Sequence, residues 1–208
     1  MRRLILALTF SFLLAGSAGA SIISAFDTSD DGWTSGGVCA FSGAAGNPTG
    51  DYDCGVQVTG PTLTAPAVFL GKDAGAYGNT FSFDIFTHLS NLFLTIDLNG
   101  DGKELTNAVG NVPPSNSWQH ESVLLTEAGG WIDTGTSSAP SQSEFQNVLA
   151  DVTSIQIAVS IPTFTDLAFD NITLNGVTAV PEPSGLLLMA PAAFILIIHQ
   201  KRRPHGKS

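Results

Sequence analysis

Few residues in this chain have the types and spacing that chemistry requires. The run Asp97-Leu98-Asn99-Gly100-Asp101-Gly102 matches the start of an EF-hand calcium loop. Its twelfth position is Ala108, so the bidentate carboxylate that completes such a site is missing. The same run favours a hairpin turn, because Asn, Asp and Gly readily adopt the positive φ angles of short hairpins. We therefore predict a turn here and not a calcium loop.

Cys39 and Cys54 are the only two cysteines. A catalytic thiol needs a nearby base, and outside the two ends of the chain only His88 and His120 are available, neither in a recognisable motif. In an oxidising compartment an even pair of cysteines favours a disulfide. We predict that bond, with a stabilisation of about 3 kcal/mol for a loop of this size.

Aromatic residues are a further set of candidates. Trp33, Trp118, Trp131, Tyr52 and Tyr77 could stack on sugar rings or could fill the core. The chain has no Gly-x-Ser-x-Gly elbow, phosphate loop or zinc-ligand spacing. Its carboxylates are numerous enough for chance pairs, so a glycosidase dyad is not recognisable from sequence. We predict no catalytic residue and leave the ligand-binding residues unassigned.

Composition limits the partners of the chain. It has 208 residues, of which 43% are hydrophobic and 12% charged, which is typical of a folded protein. Between residues 21 and 180 there are 17 acidic residues and only Lys72 and Lys103 as basic ones, giving a net charge of −15. A body that acidic repels nucleic-acid phosphates and anionic lipid. We therefore expect no nucleic-acid partner.

Residues 1–20 have the pattern of a secretory signal peptide. Arg2 and Arg3 precede an apolar run from Leu4 to Leu14, and the small residues Ala18-Gly19-Ala20 follow it. The run is about half as long as the roughly 20 apolar residues of a spanning helix. We predict export and cleavage after Ala20.

Residues 180–208 form a tail in three parts. Pro181-Glu182-Pro183 comes first, then the uncharged stretch Gly185 to Ile198, then the basic group Lys201-Arg202-Arg203. The tail resembles the PEP-CTERM sorting signal of Gram-negative bacteria, although Pro191 interrupts its apolar segment. The resemblance implies that Pro181, Glu182 and Pro183 are recognised by an exosortase, a membrane protease-transpeptidase. It also implies export to the envelope, outer surface or extracellular matrix. Membrane contact is then expected only through this tail before processing, and an ordinary tail anchor is the alternative.

The body, residues 21–179, is the size of one domain and has the pattern of an all-β sandwich. Phe81, Phe83 and Ile85 alternate with polar residues, as do Leu92, Leu94 and Ile96. Further strands are predicted around Val123 and Leu125, around Ile155, Ile157 and Val159, and from Leu167 to Leu174.

Two local features interrupt the strand pattern. Ser141-Gln142-Ser143-Glu144 has the spacing of a helix capping box, and Phe145, Val148, Leu149 and Val152 would share one helix face. In the last strand the alternation changes phase at Asp170-Asn171, which predicts a β-bulge there.

An ordered series of residues resembles the laminin B (domain IV) family over roughly residues 60 to 175. The series comprises Ala65-Pro66-Ala67-Val68-Phe69-Leu70-Gly71, Tyr77-Gly78, Phe81-Ser82-Phe83, Trp118, Val123 to Leu125, Trp131, Val148-Leu149 and Phe169-Asp170-Asn171-Ile172. The resemblance implies a jelly-roll β-sandwich similar to galactose-binding-like and carbohydrate-binding modules. The opening Phe26-Asp27, with Asp31-Gly32-Trp33, would then suit a first strand of that kind.

That fold also suggests a structural calcium ion. In galactose-binding-like sandwiches the first and last strands run together, and a cation is often held by an acid from each. Asp27 and Asp170 occupy comparable places here, and carboxylate oxygens suit calcium. The alternative is that Asp170 and Asn171 only satisfy backbone groups at the bulge.

Together these patterns predict an exported, non-enzymatic protein for adhesion or organisation of an exopolysaccharide matrix. Its partners would be an exosortase during sorting, and then exopolysaccharide or surface proteins. A carbohydrate-binding module with a defined sugar site is the first alternative, and a polysaccharide-active enzyme is the second.

Overall fold

The computed structural model describes residues 19–57, 60–88, 92–160 and 164–177. The chain divides into two compact units, Met1–Thr178 and Ala179–Ser208, and the described residues belong to the first. The predicted sorting tail and most of the predicted signal peptide lie outside the described residues, as does the apolar segment from residue 185 to 198. None of the helices within the described ranges is long and apolar enough to cross a membrane.

The described residues form eleven strands and one α-helix. The strands are β1 (Ala20–Ser24), β2 (Ala40–Ser42), β3 (Asp51–Gln57), β4 (Thr62–Thr64), β5 (Thr80–Thr87), β6 (Leu92–Gly100), β7 (Lys103–Val112), β8 (Gln119–Leu124), β9 (Trp131–Asp133), β10 (Val152–Ser160) and β11 (Phe164–Val177). Helix α1 is Gln142–Ala150, and two short 3₁₀ turns lie at Ala67–Phe69 and Ala74–Ala76.

The strands make two antiparallel sheets. The six-stranded sheet has the order β2-β3-β11-β5-β8, and β1 pairs with the second half of β11. The five-stranded sheet has the order β4-β10-β6-β7-β9. The predicted jelly-roll β-sandwich with one short helix is therefore confirmed. The prediction that the first and last strands run together is also confirmed.

The core lies between the two sheets and follows the alternation in the sequence. In strands such as β6 and β10, side chains on one parity are buried, whereas their neighbours face outward. The buried residues include Phe81, Phe83, Ile85, Phe169, Leu174, Leu94, Ile96, Leu98, Ile155 and Ile157. The aromatic candidates Trp33 and Trp131 are fully buried in this core, so neither is available to a ligand.

The predicted hairpin turn joins β6 to β7. Asn99 and Gly100 pair with Glu104 and Lys103, which leaves Asp101 and Gly102 as the two turn residues. Both have positive φ angles, 50° and 67°, as a two-residue hairpin requires. The EF-hand alternative therefore does not hold, because four of the six residues of that run are paired in the ladder between β6 and β7.

Helix α1 begins with the predicted capping box. Ser141 Oγ accepts the Glu144 N–H, and the Glu144 carboxylate accepts the Ser141 N–H at 2.8 Å. Phe145, Val148 and Leu149 face the core as predicted. The end of the helix packs directly against Gly100. A Cβ at this position would clash with the carbonyl oxygens of Val148 and Asp151.

Two local assignments from the sequence were wrong. Val152 does not share the helix face, because the helix ends at Ala150 and Val152 begins β10. The cause is Asp151, whose φ of −150° is not helical. The first strand is β1, which ends at Ser24, so Phe26 and Asp27 lie in the turn after it. Phe26 has a φ of 48°, which lies in the left-handed region and outside regular strand geometry.

Candidate binding face

The outer face of the six-stranded sheet carries a row of polar side chains across its strands. Phe83 and Phe169 face the core, so Asp84 and Asp170, which alternate with them, face outward. The strand register places Asp170 beside Asp84 and Asp84 beside His120. On the other side of β11, Asp51 of β3 faces Ser42 of β2. We call these five residues the carboxylate row: Ser42, Asp51, Asp170, Asp84 and His120.

A loop lies over the middle of this row. It consists of residues 43–50, between β2 and β3, and we call it the Asn47 loop. The Asn47 N–H donates to Asp170 Oδ2 at 2.6 Å, and Asn47 Nδ2 donates to Asp84 Oδ2 at 3.1 Å. Asn171 Nδ2 donates to the Asn47 carbonyl at 2.7 Å and to Asp84 Oδ2 at 2.9 Å. Asp170 and Asp84 are consequently 1% and 8% exposed.

Burial dominates the electrostatics of the row. It raises the pKa of Asp170 to about 6, and the neighbouring carboxylates of Asp84 and Asp51 add to that rise. The N–H groups of Asn47 and Asn171 lower the same pKa, because they stabilise the ionised form. The pKa of Asp51 is also raised, mainly by burial, and Asp51 Oδ1 is buried without a hydrogen-bond partner among the described residues.

A second row, parallel to the first, ends in an aromatic pair. Register places Asp53 beside both Ala40 and Ala168, and Ala168 beside Phe86. The Phe86 ring contacts Trp118 at a centroid distance of 5.7 Å. We call these residues the aromatic row: Ala40, Asp53, Ala168, Phe86 and Trp118. Because the Ala168 side chain is small, it extends less far from the sheet than the rings of Phe86 and Trp118.

His88 and Asp166 border the aromatic row. The His88 ring packs on Phe86 at 4.9 Å, and His88 Nδ1 lies 3.3 Å from Asp166 Oδ2. Their side chains are 44% and 63% exposed. The Trp118 side chain is half-buried beside Phe86. This end of the face therefore offers aromatic rings and hydrogen-bonding groups together.

The five aromatic residues that the sequence offered as sugar-stacking candidates have different surroundings in the structure. Tyr52 is buried, and its hydroxyl donates to the Trp33 carbonyl. The Tyr77 hydroxyl donates to Glu127 at 2.6 Å. Only Trp118 of the five lies on the outer face of the six-stranded sheet. Phe86 was missed, although the alternation in β5 places it on the same side as Asp84.

The predicted disulfide between Cys39 and Cys54 is confirmed. Cys39 directly precedes β2, and Cys54 lies within β3. The bond therefore closes the hairpin that carries the Asn47 loop. Because both cysteines are bonded, a cysteine nucleophile is excluded.

The two residues of the predicted calcium pair, Asp27 and Asp170, have different hydrogen-bond partners. Asp170 accepts N–H groups on both oxygens, whereas Asp27 is exposed and its Oδ1 lies 3.4 Å from the Thr49 hydroxyl. Among the described residues, no three His, Cys, Asp or Glu side chains are placed to share one cation. The bulge at Asp170 and Asn171 is present, and its carboxylate binds backbone groups. Calcium at Asp27 and Asp170 stays a prediction. Thermal unfolding in calcium and in a chelator tests it, since equal midpoints would contradict it.

Comparison with known proteins identifies the family. The family model for laminin B (domain IV) matches residues 62–192, more than half of the chain. The chain belongs to the laminin B (domain IV) family. The match includes the whole of β4 to β11 and extends past the boundary at residue 179 that the sequence predicted. No curated protein sequence matches this laminin B domain.

Several solved structures are similar to this laminin B domain. The family 11 carbohydrate-binding module of a cellulosomal cellulase from Clostridium thermocellum is 16% identical, with a TM-score of 0.52 over 80% of this chain and 100% of that one. The L4b domain of human laminin α2 is 13% identical, with a TM-score of 0.49 over 78% and 99%. A xylan-binding domain from Paenibacillus barcinonensis is 14% identical, with a TM-score of 0.48 over 79% and 100%.

Proposed function

We propose that this protein is an exported, non-enzymatic adhesion domain that binds matrix polysaccharide on the outer face of its six-stranded sheet. Membership of the laminin B family and the disulfide support an extracellular or cell-surface location. The observation that carries the choice of ligand is the aromatic row with its exposed border of His88 and Asp166.

The aromatic row suits a glycan for two reasons. The apolar face of a sugar ring packs on an aromatic ring, and Phe86 and Trp118 supply two adjacent rings. The polar groups around them can bond hydroxyls, as in most small-molecule sites that combine apolar walls with a few polar groups. The net charge of −15 between residues 21 and 180 disfavours acidic polysaccharides. The proposed ligand is therefore an uncharged or weakly charged glycan chain.

Substitution of Trp118 tests this site. We expect Trp118→Ala and Phe86→Ala each to weaken retention on the host's own exopolysaccharide by about tenfold or more, because a buried aromatic contact is worth ~1–2 kcal/mol. Phe93→Ala is the matched control. Phe93 is 44% exposed on the five-stranded sheet, so its loss should leave binding unchanged. Affinity electrophoresis with the purified polysaccharide measures all three.

The outcomes separate the three candidate functions. If the unaltered protein binds neither that polysaccharide nor any neutral glycan on an array, the glycan site fails and adhesion to surface proteins remains. Equal losses in Phe93→Ala would also contradict the site. Release of reducing ends would support the polysaccharide-active enzyme instead.

We also propose that an exosortase sorts this protein through Pro181, Glu182 and Pro183. The tripartite order of the tail supports the proposal. We expect the mature protein to begin at Ser21 and to lack the segment after Pro183. Intact-mass measurement on protein from the native host checks both ends. A product that retains residues 185–208 at steady state would favour a permanent anchor.

A further inference from the structure

We infer that Asp166 is a positioning residue of the proposed glycan site, because it fixes the His88 ring as a third ring beside Phe86 and Trp118. The inference rests on the proposed function and deepens it. It assigns a stretch of a single glycan chain to the site, and it gives Asp166 a role that needs no contact with the sugar.

The three rings form a continuous series. The His88 ring contacts the Phe86 ring at a centroid distance of 4.9 Å, and the Phe86 ring contacts the Trp118 ring at 5.7 Å. Phe86 belongs to β5, and His88 follows the last residue of that strand. Trp118 directly precedes β8, the strand that pairs with β5. We call these three side chains the ring platform.

The ring platform is not flat. The planes of His88 and Phe86 meet at 79°, and those of Phe86 and Trp118 meet at 51°. The flat surface of a packed polysaccharide cannot lie on rings that share no plane. A single glycan chain can, because its successive sugar rings turn about the bonds that link them and each can pack on its own aromatic neighbour. The ligand assigned to the ring platform is therefore a stretch of one chain.

The contact between His88 and Asp166 fixes the third ring. His88 Nδ1 lies 3.3 Å from Asp166 Oδ2. A carboxylate oxygen only accepts, so this bond requires a hydrogen on Nδ1. In the neutral imidazole Nε2 is then an acceptor, which can receive a sugar hydroxyl. Asp166 thus sets both the orientation of the ring and the hydrogen-bonding character of the nitrogen that faces away from Asp166.

The conformation of Asp166 favours a functional role over a stabilising one. Its φ is 55°, in the left-handed region that glycine, asparagine and aspartate tolerate best. The side chains of His88 and Asp166 are 44% and 63% exposed, so their pairing contributes little to the free energy of folding. Unfavourable backbone conformations of this kind cluster at sites that hold a side chain in position for a ligand.

Two substitutions at Asp166 separate its side chain from its backbone. Glycine and asparagine both tolerate a φ of 55°, but only asparagine keeps an oxygen that can accept the His88 N–H. Affinity electrophoresis in the host's own soluble exopolysaccharide compares them. We expect Asp166→Gly to weaken retention about three- to tenfold, the range of one aromatic contact, and Asp166→Asn to stay within about twofold of the unaltered protein.

Two further variants complete the comparison. Ser137→Gly is the matched control, because Ser137 is exposed, has the same φ of 55° and follows β9 of the other sheet. It should leave retention unchanged. His88→Ala should weaken retention as much as Asp166→Gly does, and the double variant should weaken it no further, because Asp166 acts through His88.

Three results of this comparison would overturn the positioning role. Additive losses in the double variant would mean that Asp166 meets the sugar itself. Equal losses in Asp166→Gly and Asp166→Asn would mean that the hydrogen bond to His88 is not what matters. Equal losses in Asp166→Gly and Ser137→Gly would mean that glycine acts through the backbone.

Nitrogen NMR of the histidine rings supplies a readout that stability alone would not move. At about pH 8 an ordinary histidine ring is neutral, and the spectrum reports which nitrogen carries the hydrogen. We expect a hydrogen on Nδ1 of His88 in the unaltered protein and in Asp166→Asn, and a shift towards Nε2 in Asp166→Gly. The His88→Ala spectrum identifies the signal. The same distribution in all three proteins would contradict the inference.

Competition with size-fractionated fragments of the exopolysaccharide tests the ligand class. Soluble fragments of at least about three sugar residues, one for each ring, should release the protein from the polymer. Monosaccharides at the same mass concentration should not. Equal competition by monosaccharides, or competition by the intact polymer alone, would reject a stretch of single chain as the ligand.

The same measurements distinguish failure of the inference from failure of the proposed function. If the unaltered protein binds no glycan, the proposed function fails and the inference fails with it. If Trp118→Ala weakens binding but His88→Ala and Asp166→Gly do not, the inference alone fails.

Discussion

Replacing Cys39 and Cys54 together with alanine is expected to lower the free energy of unfolding by about 3 kcal/mol. The two cysteines are separated by 15 positions in the sequence, and their bond restricts the unfolded chain by closing the loop between them. Both cysteines are buried in the core, so the loss of their sulfur contacts acts in the same direction. Alanine avoids placing an unsatisfied hydroxyl there.

Urea denaturation of the oxidised protein and of the double variant measures this loss. The matched comparison is the unaltered protein in reductant, which should approach the variant. Thiol labelling of denatured, unreduced protein should find no free thiol. Because the disulfide closes the hairpin that carries the Asn47 loop, the backbone amides of residues 43–50 should also exchange hydrogen with solvent faster in the variant. Coincident unfolding curves would contradict the prediction.

Asp73→Asn is expected to raise the free energy of unfolding by about 2 kcal/mol at neutral pH and to leave it nearly unchanged near pH 4. Asp73 is 5% exposed, its Oδ2 has no hydrogen-bond partner among the described residues, and burial raises its pKa to about 6. It lines a small, mainly apolar cavity with Leu149 and Trp131. Ionisation there is costly because burial removes water from the carboxylate and no lysine or arginine among the described residues pairs with it.

The sign follows from proton binding. The folded protein holds the Asp73 proton up to about pH 6, whereas the unfolded chain releases it near 3.8. Stability is therefore lost as the pH rises between these values and stays low above them. Asparagine cannot ionise, so the variant keeps the stability of the protonated form. Denaturation at both pH values measures the difference, with the exposed Asp151→Asn as control. If Asp73→Asn raised the free energy of unfolding by the same amount at pH 4 as at neutral pH, the explanation would be contradicted.

Features that depend on neighbours in sequence were predictable. The alternation of Phe81, Phe83 and Ile85 defined a strand, because side chains on opposite parities of a strand face opposite sides. The capping box at Ser141 and the turn at Asp101 and Gly102 were predictable because their hydrogen bonds and φ angles involve only a few adjacent residues. The phase change at Asp170 revealed the bulge for the same reason.

The binding face was not predictable in this way, because its residues meet only after the sheets form. The acidic residues that raise the pKa of Asp170 are Asp84 and Asp51, which lie on other strands. Phe86 and Trp118 are distant in sequence and become neighbours through the pairing of β5 with β8.

The acidic charge, the strand pattern, the helix cap and the cysteine pair could all be predicted from the amino-acid sequence. Each of these depends on composition or on local spacing. The folded structure alone shows that the Asn47 loop covers Asp84 and Asp170, and that Trp118 is partly exposed while Trp33 and Trp131 are buried. The physical reason is that burial and carboxylate pKa values depend on which strands pair and in which register. That pairing is set by the whole core and not by any short segment.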